Sequence, residues 1–283
     1  MGADHHDQTY RERRPSPELS QYLSAAWIQE VSPGAAAYTH RTVPNGGIEI
    51  ACRIGSLPRI DGPQTGPVEQ VLDPGAIVVG VRFRPGAAPS VLGLPATELV
   101  DLTLGADELW GTRAAALGER MAAAASPQEA LRMLEAELLS RLAAGGSGQP
   151  DPIAVAAVQR LLPWRGDDVG SLPSTLHISE RQLRRRCQAA IGLAPKVLHR
   201  MLRFQGFLAL AQSTERPTDE LARLAAEAGY ADQSHLTRES VRLAGRSPRV
   251  LLREAEHNCG AAHDHAPSYD PLLRGRALHA PAT

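Results

Sequence analysis

The chain has 283 residues, 43% of them hydrophobic, with 30 Lys+Arg against 31 Asp+Glu and a net charge of −1. That length predicts two domains, and that apolar fraction excludes wholesale disorder. No run reaches the roughly 18 apolar residues of a membrane span, Met1–Arg14 lacks a signal-peptide core, and three scattered cysteines, Cys52, Cys187 and Cys259, make no disulfide framework, so a reducing cytoplasm and no membrane partner are expected.

Residues 1–16 are polar and aperiodic and are read as a flexible arm. Residues 17–144 are read as a β-rich domain closed by helices. Its short apolar segments, 37–43, 48–54, 68–72 and 76–83, are separated by Pro44-Asn45-Gly46-Gly47, Asp61-Gly62-Pro63 and Asp73-Pro74-Gly75. Asn-Gly and Asp-Gly supply the positive φ of tight hairpin turns, and strands at this spacing suggest a small barrel or sandwich. From Thr112 the period becomes helical. Leu131, Leu134, Leu138 and Leu142 form a stripe that must be buried, against the barrel and also against a second copy of the chain. Trp27 and Trp110 are read as packing rather than as pocket walls. His40 has no histidine partner, so a metal-dependent enzyme of this shape is disfavoured.

Residues 145–150, Gly-Gly-Ser-Gly-Gln-Pro, read as a linker. Charge changes sign there: residues 1–150 carry −5 and residues 151–257 carry +4, almost all of it arginine. Arginine makes bidentate contacts to phosphate and guanine. Residues 151–257 read as helices throughout: 153–162, a helix capped by Asp168 that runs to Leu176, 180–190, 194–212, 219–228 and 233–243, then a last one from Pro248. Ser179 with Gln182 forms a capping box, Thr218 and Asp232 are further N-caps, and Gly192, Gly229 and Gly245 are stops. Residues 258–283 are read as a flexible tail.

Two segments, 172–195 and 224–248, share one plan: short helix, tight turn, capped helix bearing arginines, then Gly and Pro. That is a helix-turn-helix plan, whose second helix enters the major groove. The run 221–239 (LARLAAEAGYADQSHLTRE) with Gly245-Arg246-Ser247-Pro248, and the run 178–186 (ISERQLRRR) with Gly192-Leu193-Ala194-Pro195, resemble the AraC/XylS family of bacterial transcription regulators. More weakly, Val43–Glu49 and Gly80–Ala88 resemble the cupin-like sensor half of one subgroup of that family.

The resemblance implies an α+β chain of two domains: an N-terminal β-rich, cupin-like barrel followed by helices, and a C-terminal all-α double helix-turn-helix. Its partner is double-stranded DNA, read in adjacent major grooves by helices at 179–190 and 232–243. RNA polymerase, a small-molecule effector and a second copy are the further partners it implies. By position, Arg181, Arg184 and Arg185 contact bases or groove edges in the first unit. Gln233, Ser234, Thr237 and Arg238 do so in the second. Ser179 and Asp232, at helix N-termini, and Arg246 hold phosphates. Arg186 is read as a solvated face residue. The chain departs from the family at Cys187 and Ser240, where a core Phe is usual, at Pro173, and at His177, where a turn Gly is usual. Phe204 or Phe207 is the candidate to refill that volume.

No catalytic residue, cofactor or metal is expected. His257, Cys259, His263 and His265 have a spacing that could ligate zinc but no visible supporting shell. Cys187 is read as a small buried hydrophobe rather than a redox thiol. A DNA-modifying enzyme borrowing the same DNA-binding half is the alternative; the reactive Pro-Cys-His-Arg run that an alkyl-accepting enzyme needs is absent.

Overall fold

The segment read as an arm begins the sheet. The computed structural model describes residues 7–145, 148–165, 167–259 and 263–277, and Gln8–Arg13 (β1) pairs antiparallel with Leu23–Val31 (β2), Gln8 facing Val31 and Arg13 facing Ala26. No apolar run announces β1. It is held by what it meets, with Tyr10 buried and the Arg13 guanidinium forked onto the Glu135 carboxylate at 2.5 and 3.2 Å. The expected apolar segments become Tyr38–Thr42 (β3), Glu49–Arg53 (β4), Val68–Leu72 (β6) and Ile77–Phe83 (β7). Arg59–Asp61 (β5) and Thr103–Gly105 (β8) are added. The large sheet runs β8-β5-β4-β7-β2-β1, and β3 pairs β6 in a second, two-stranded sheet.

Strand periodicity divides the large sheet into two faces. Ala26, Ile50, Cys52, Val79 and Val81 belong to one core, under the helices Thr112–Ala122 (α3) and Pro127–Ala143 (α4); the shorter Ala88–Leu92 (α1) and Ala106–Trp110 (α2) precede these. Leu131, Leu134 and Leu138 are wholly buried in that core and Leu142 packs at its edge. The leucine stripe is therefore consumed within the chain, and the expectation that it also joins a second copy is corrected: no apolar face of α4 is left over.

The C-terminal domain contains Pro152–Leu161 (α5), Leu172–Thr175 (α6), Glu180–Ile191 (α7), Pro195–Gln212 (α8), Leu221–Glu227 (α9), Gln233–Ala244 (α10) and Pro248–Cys259 (α11). α9 starts at Leu221, so Thr218 is not its cap. Pro173 lies in the first turn of α6, where a missing N–H is harmless. Cys187 sits fully buried in one core with both Phe204 and Phe207, whose ring centroids are 5.7 Å apart, so α8 supplies the aromatic volume. Ser240, also fully buried, donates its hydroxyl to the Arg246 carbonyl at 2.7 Å.

The segment read as a tail returns to the first domain. Backbone of His263–Asp264 (β9) pairs parallel with β1, and Ala266–Ala277 (α12) packs on α8. The side chains of His257, Cys259 and His263 lie outside the described residues; His265 stacks on Tyr10 at 4.7 Å.

The turn into α7 holds a local strain. His177 has φ +53°, where the matching turn of the second unit has Gly229 at +78°. A left-handed non-glycine residue costs roughly 1–2 kcal/mol, part of which returns as lost chain entropy on mutation to glycine. His177→Gly is therefore expected to raise stability by about 0.5–1 kcal/mol, read as a higher urea midpoint. A lower midpoint would show that the imidazole earns its place by a contact.

Candidate nucleic-acid interface

The two candidate recognition helices are built alike. At α7, the Gln182 amide donates to Ser179 Oγ at 3.2 Å and the Ser179 amide to Gln182 Oε1 at 3.0 Å, the expected capping box. At α10, Asp232 Oδ1 accepts from the His235 amide at 2.6 Å. Gly192 (φ +82°) and Gly245 (φ +68°) stop the helices in the left-handed conformation. Each helix buries one stripe, Leu183/Cys187/Ala190/Ile191 and Leu236/Ser240/Leu243/Ala244 respectively, and exposes the other.

The arginines sort by partner. Arg181, Arg184, Arg185 and Arg238 are exposed and, among the described residues, have no carboxylate within ion-pair distance; Arg242 and Arg249, not singled out from sequence, are alike. Others are spent inside the protein. Arg186 binds Asp151 at 2.6 Å, and Arg223 is held by Glu220 and Glu227. Arg203 lies over the Tyr230 ring at 4.4 Å. Arg186, expected as a solvated face residue, is instead half-buried and paired with Asp151.

Gln233 and Ser234 are exposed beside the α10 cap, whereas the Thr237 hydroxyl already donates to the Gln233 carbonyl at 2.9 Å. The three phosphate candidates are less free than expected. Ser179 and Asp232 use their own side chains on helix amides. Arg246 is not free: it faces Glu69 at 3.9 Å and Glu254 at 3.5 Å, two carboxylates that Arg41 also binds.

Neither described cysteine is poised for chemistry. Burial, then the Asp151 carboxylate, push the Cys187 thiol up to about 11; burial pushes Cys52 up to about 11 against the pull of Arg59. Among the described residues no cluster of His, Cys, Asp and Glu could hold a metal, and no helix is long and apolar enough to cross a membrane.

Residues 173–254 match a family described as a helix-turn-helix domain, over both capped helices. The C-terminal domain is an AraC-type helix-turn-helix. The chain accordingly carries a helix-turn-helix DNA-binding domain. Residues 11–105 match a domain of unknown function (DUF6597), which here is the β-rich domain as far as β8. No curated protein matches the chain. Among solved structures it is similar to an apo ToxT variant of Vibrio cholerae, at 12% identity with TM-score 0.45, covering 82% of this chain and 97% of that one. A second ToxT structure from Vibrio cholerae is 11% identical with TM-score 0.44, over 87% and 98% of the two chains.

The helix-turn-helix domain does not stand apart from the β-rich domain. A cavity of about 520 Å3 lies between them, walled by Trp27, Tyr38 and Arg82 on one side, by Val158, Leu202 and Leu252 on the other, and by Tyr269 of α12. Trp27, expected only to pack, also lines this cavity, its indole against Gly80, where a Cβ would approach it to 2.4 Å. Under it is a buried polar cluster missed from sequence. Arg82 donates to Glu49 at 2.6 Å, to Glu12 at 2.8 Å, to Ser268 at 2.5 Å and to the Tyr10 hydroxyl at 3.2 Å. The signal was present: Tyr10 and Glu12, Trp27 and Gln29, Glu49 and Ala51, Gly80 and Arg82 alternate with the apolar set and share the opposite face. Nearby, the Gln29 amide nitrogen donates to His40 Nδ1 at 3.3 Å, and burial, with His265, Arg82 and Arg59 around it, lowers the imidazole to about 4, so it is neutral at pH 7.

Proposed function

We propose that this chain is a DNA-binding transcription regulator that reads a bipartite DNA site with α7 and α10 in successive major grooves, under control of the β-rich domain. The observation that carries the reading is the sorting of arginines. Four exposed cations without a carboxylate partner among the described residues, Arg181, Arg184, Arg185 and Arg238, sit on the outer faces of two matched helices. An unpaired exposed arginine on a helix that enters a groove suits guanine or phosphate, and Gln233 suits adenine. Grooves on one DNA face recur every ~34 Å, the spacing two linked readers must match. The cavity between the domains supports effector control, since a molecule held there would touch both.

The test is capture of sheared host DNA by the full chain at ~150 mM salt, where non-specific binding is weak. Enriched fragments are expected to share two half-sites about one helical turn apart; a shared single half-site would reject the bipartite reading. Arg238→Ala is expected to cost about 1–3 kcal/mol and to relax preference at one base position. An unchanged site preference in a randomised-site selection would remove Arg238 from the interface.

A further inference from the structure

One short segment of the β-rich domain touches the C-terminal ends of both recognition helices. It is the connection between β5 and β6, residues 62–67, together with the first two residues of β6, Val68 and Glu69. Gly192, which stops α7, is so close to it that a Cβ there would lie 2.8 Å from Pro63 Cγ and Val100 Cγ2 and 2.9 Å from the Ala96 carbonyl. Gly245, which stops α10, would bring a Cβ to 3.4 Å from Pro67 Cγ. The next residue, Arg246, faces Glu69 at 3.9 Å, and Arg41 of β3 holds Glu69 from behind at 2.7 Å.

The segment is stiff. Pro63 and Pro67 fix two of its φ angles. Asp101 accepts from the Thr65 amide at 2.6 Å and from its hydroxyl at 2.7 Å, and donates its own amide to the Pro63 carbonyl at 3.2 Å. Gly62 leaves no room for a side chain, since a Cβ would meet the Leu99 carbonyl at 1.7 Å. The contacts fall at the ends of α7 and α10 away from their exposed N-terminal turns, so brace and DNA do not compete for the same surface.

We propose that Pro63–Glu69 is a positioning element that sets the separation of the two recognition helices, and with it the half-site spacing the protein accepts. The inference rests on the reading of α7 and α10 as DNA readers. α8 joins the two units through one shared core; the β5–β6 segment adds a second contact, at the C-terminal end of each recognition helix. Gly62, Gln64, Val68 and Glu69 also line a cavity of about 280 Å3 with Gln29, His40, Glu49 and Arg59. A molecule in that cavity presses on the brace directly, which gives the β-rich domain a mechanical route to both readers.

The experiment uses the full chain with Cys259→Ser and spin labels at Glu180→Cys and Ser234→Cys; both sites are exposed, and Cys52 and Cys187 are buried. Label separation is measured by pulsed electron resonance with the native brace and with Gly-Ser inserted between Gly66 and Pro67. Two added residues supply about 7 Å of slack, so a narrow distribution is expected to broaden by several ångströms. In a randomised DNA selection with unlabelled protein that keeps Ser234 and carries only the insertion, the half-site sequences are expected to be kept but more than one spacing accepted. Pro67→Gly with Glu69→Gln serves as the second variant if the insertion lowers the melting temperature. Equal distance distributions and one shared spacing overturn the brace alone. A narrow native distribution with no bipartite site enriched overturns the recognition reading, and the brace's role in spacing falls with it.

Discussion

Replacing Arg82 by methionine is expected to lower the unfolding free energy by about 3–5 kcal/mol, the cost of breaking a buried ion cluster from one side. The guanidinium satisfies Glu12 and Glu49 together, and Glu12 is buried. Methionine fills much of the volume but leaves two carboxylates facing an apolar wall. Glu12→Gln added to Arg82→Met is expected to recover part of the loss, because one stranded charge is then gone. Urea melts of the single and double variants measure both numbers; a loss below about 1 kcal/mol for the single change would mean that water reaches the cluster.

The same cluster sets an acid limit. Burial opposes ionisation of Glu12, but the Arg82 guanidinium, with hydrogen bonds from His265 and Ser268, more than reverses it and holds the carboxyl well below the usual carboxylate range. The folded pKa is lower than the unfolded one, so this stabilisation is complete above roughly pH 5 and fades as pH falls through the carboxylate range, while the unfolded chain takes up the proton first. Stability measured from pH 6 to pH 3 is expected to decline less steeply in Glu12→Gln than in the native protein.

The triple replacement of Arg181, Arg184 and Arg185 by alanine is expected to act oppositely, sparing the fold and removing the DNA. All three are exposed on α7 without carboxylate partners among the described residues, so stability is expected to change by no more than about 0.5 kcal/mol. Groove and phosphate contacts are worth about 1–3 kcal/mol each, so affinity for the captured site falls by about a hundredfold or more at 150 mM salt. Each phosphate contact removed also makes the salt dependence shallower by about 0.9 in log–log slope. Unchanged affinity would place the DNA on another face of the domain. Arg186→Ala is the internal control: its guanidinium is held by Asp151, so its loss is expected to register in stability more than in DNA affinity.

Much of this was legible because it is local. Capping boxes, left-handed stops and hairpin turns are set by residues within four positions of one another. Ser179, Asp232, Gly192 and Gly245 therefore do in the structure what their types dictate. The apolar periods of β3, β4, β6, β7, α4, α5 and α8 were equally readable. Weak local signals failed together. β1 has no apolar run, yet Tyr10, Glu12 and Arg13 are fixed by Arg82, Glu135 and His265, from 70 to more than 250 positions away. The sequence stretch after α11 shows no period either, and its returning strand borrows its order from β1.

By itself, the sequence determined two domains, the helical plan of the second and the outward placement of Arg181, Arg184, Arg185 and Arg238, because helix periodicity and capping act within a few residues. The tertiary structure alone decided which of the remaining charges are spent. Arg82 is sunk between carboxylates from two strands, Glu12 of β1 and Glu49 of β4, Arg246 faces Glu69 across the domains, and the leucine stripe closes on its own β-rich domain. Each outcome depends on which distant carboxylate or apolar face comes within about 4 Å, and separation in space along a folded path has no local signature in the chain.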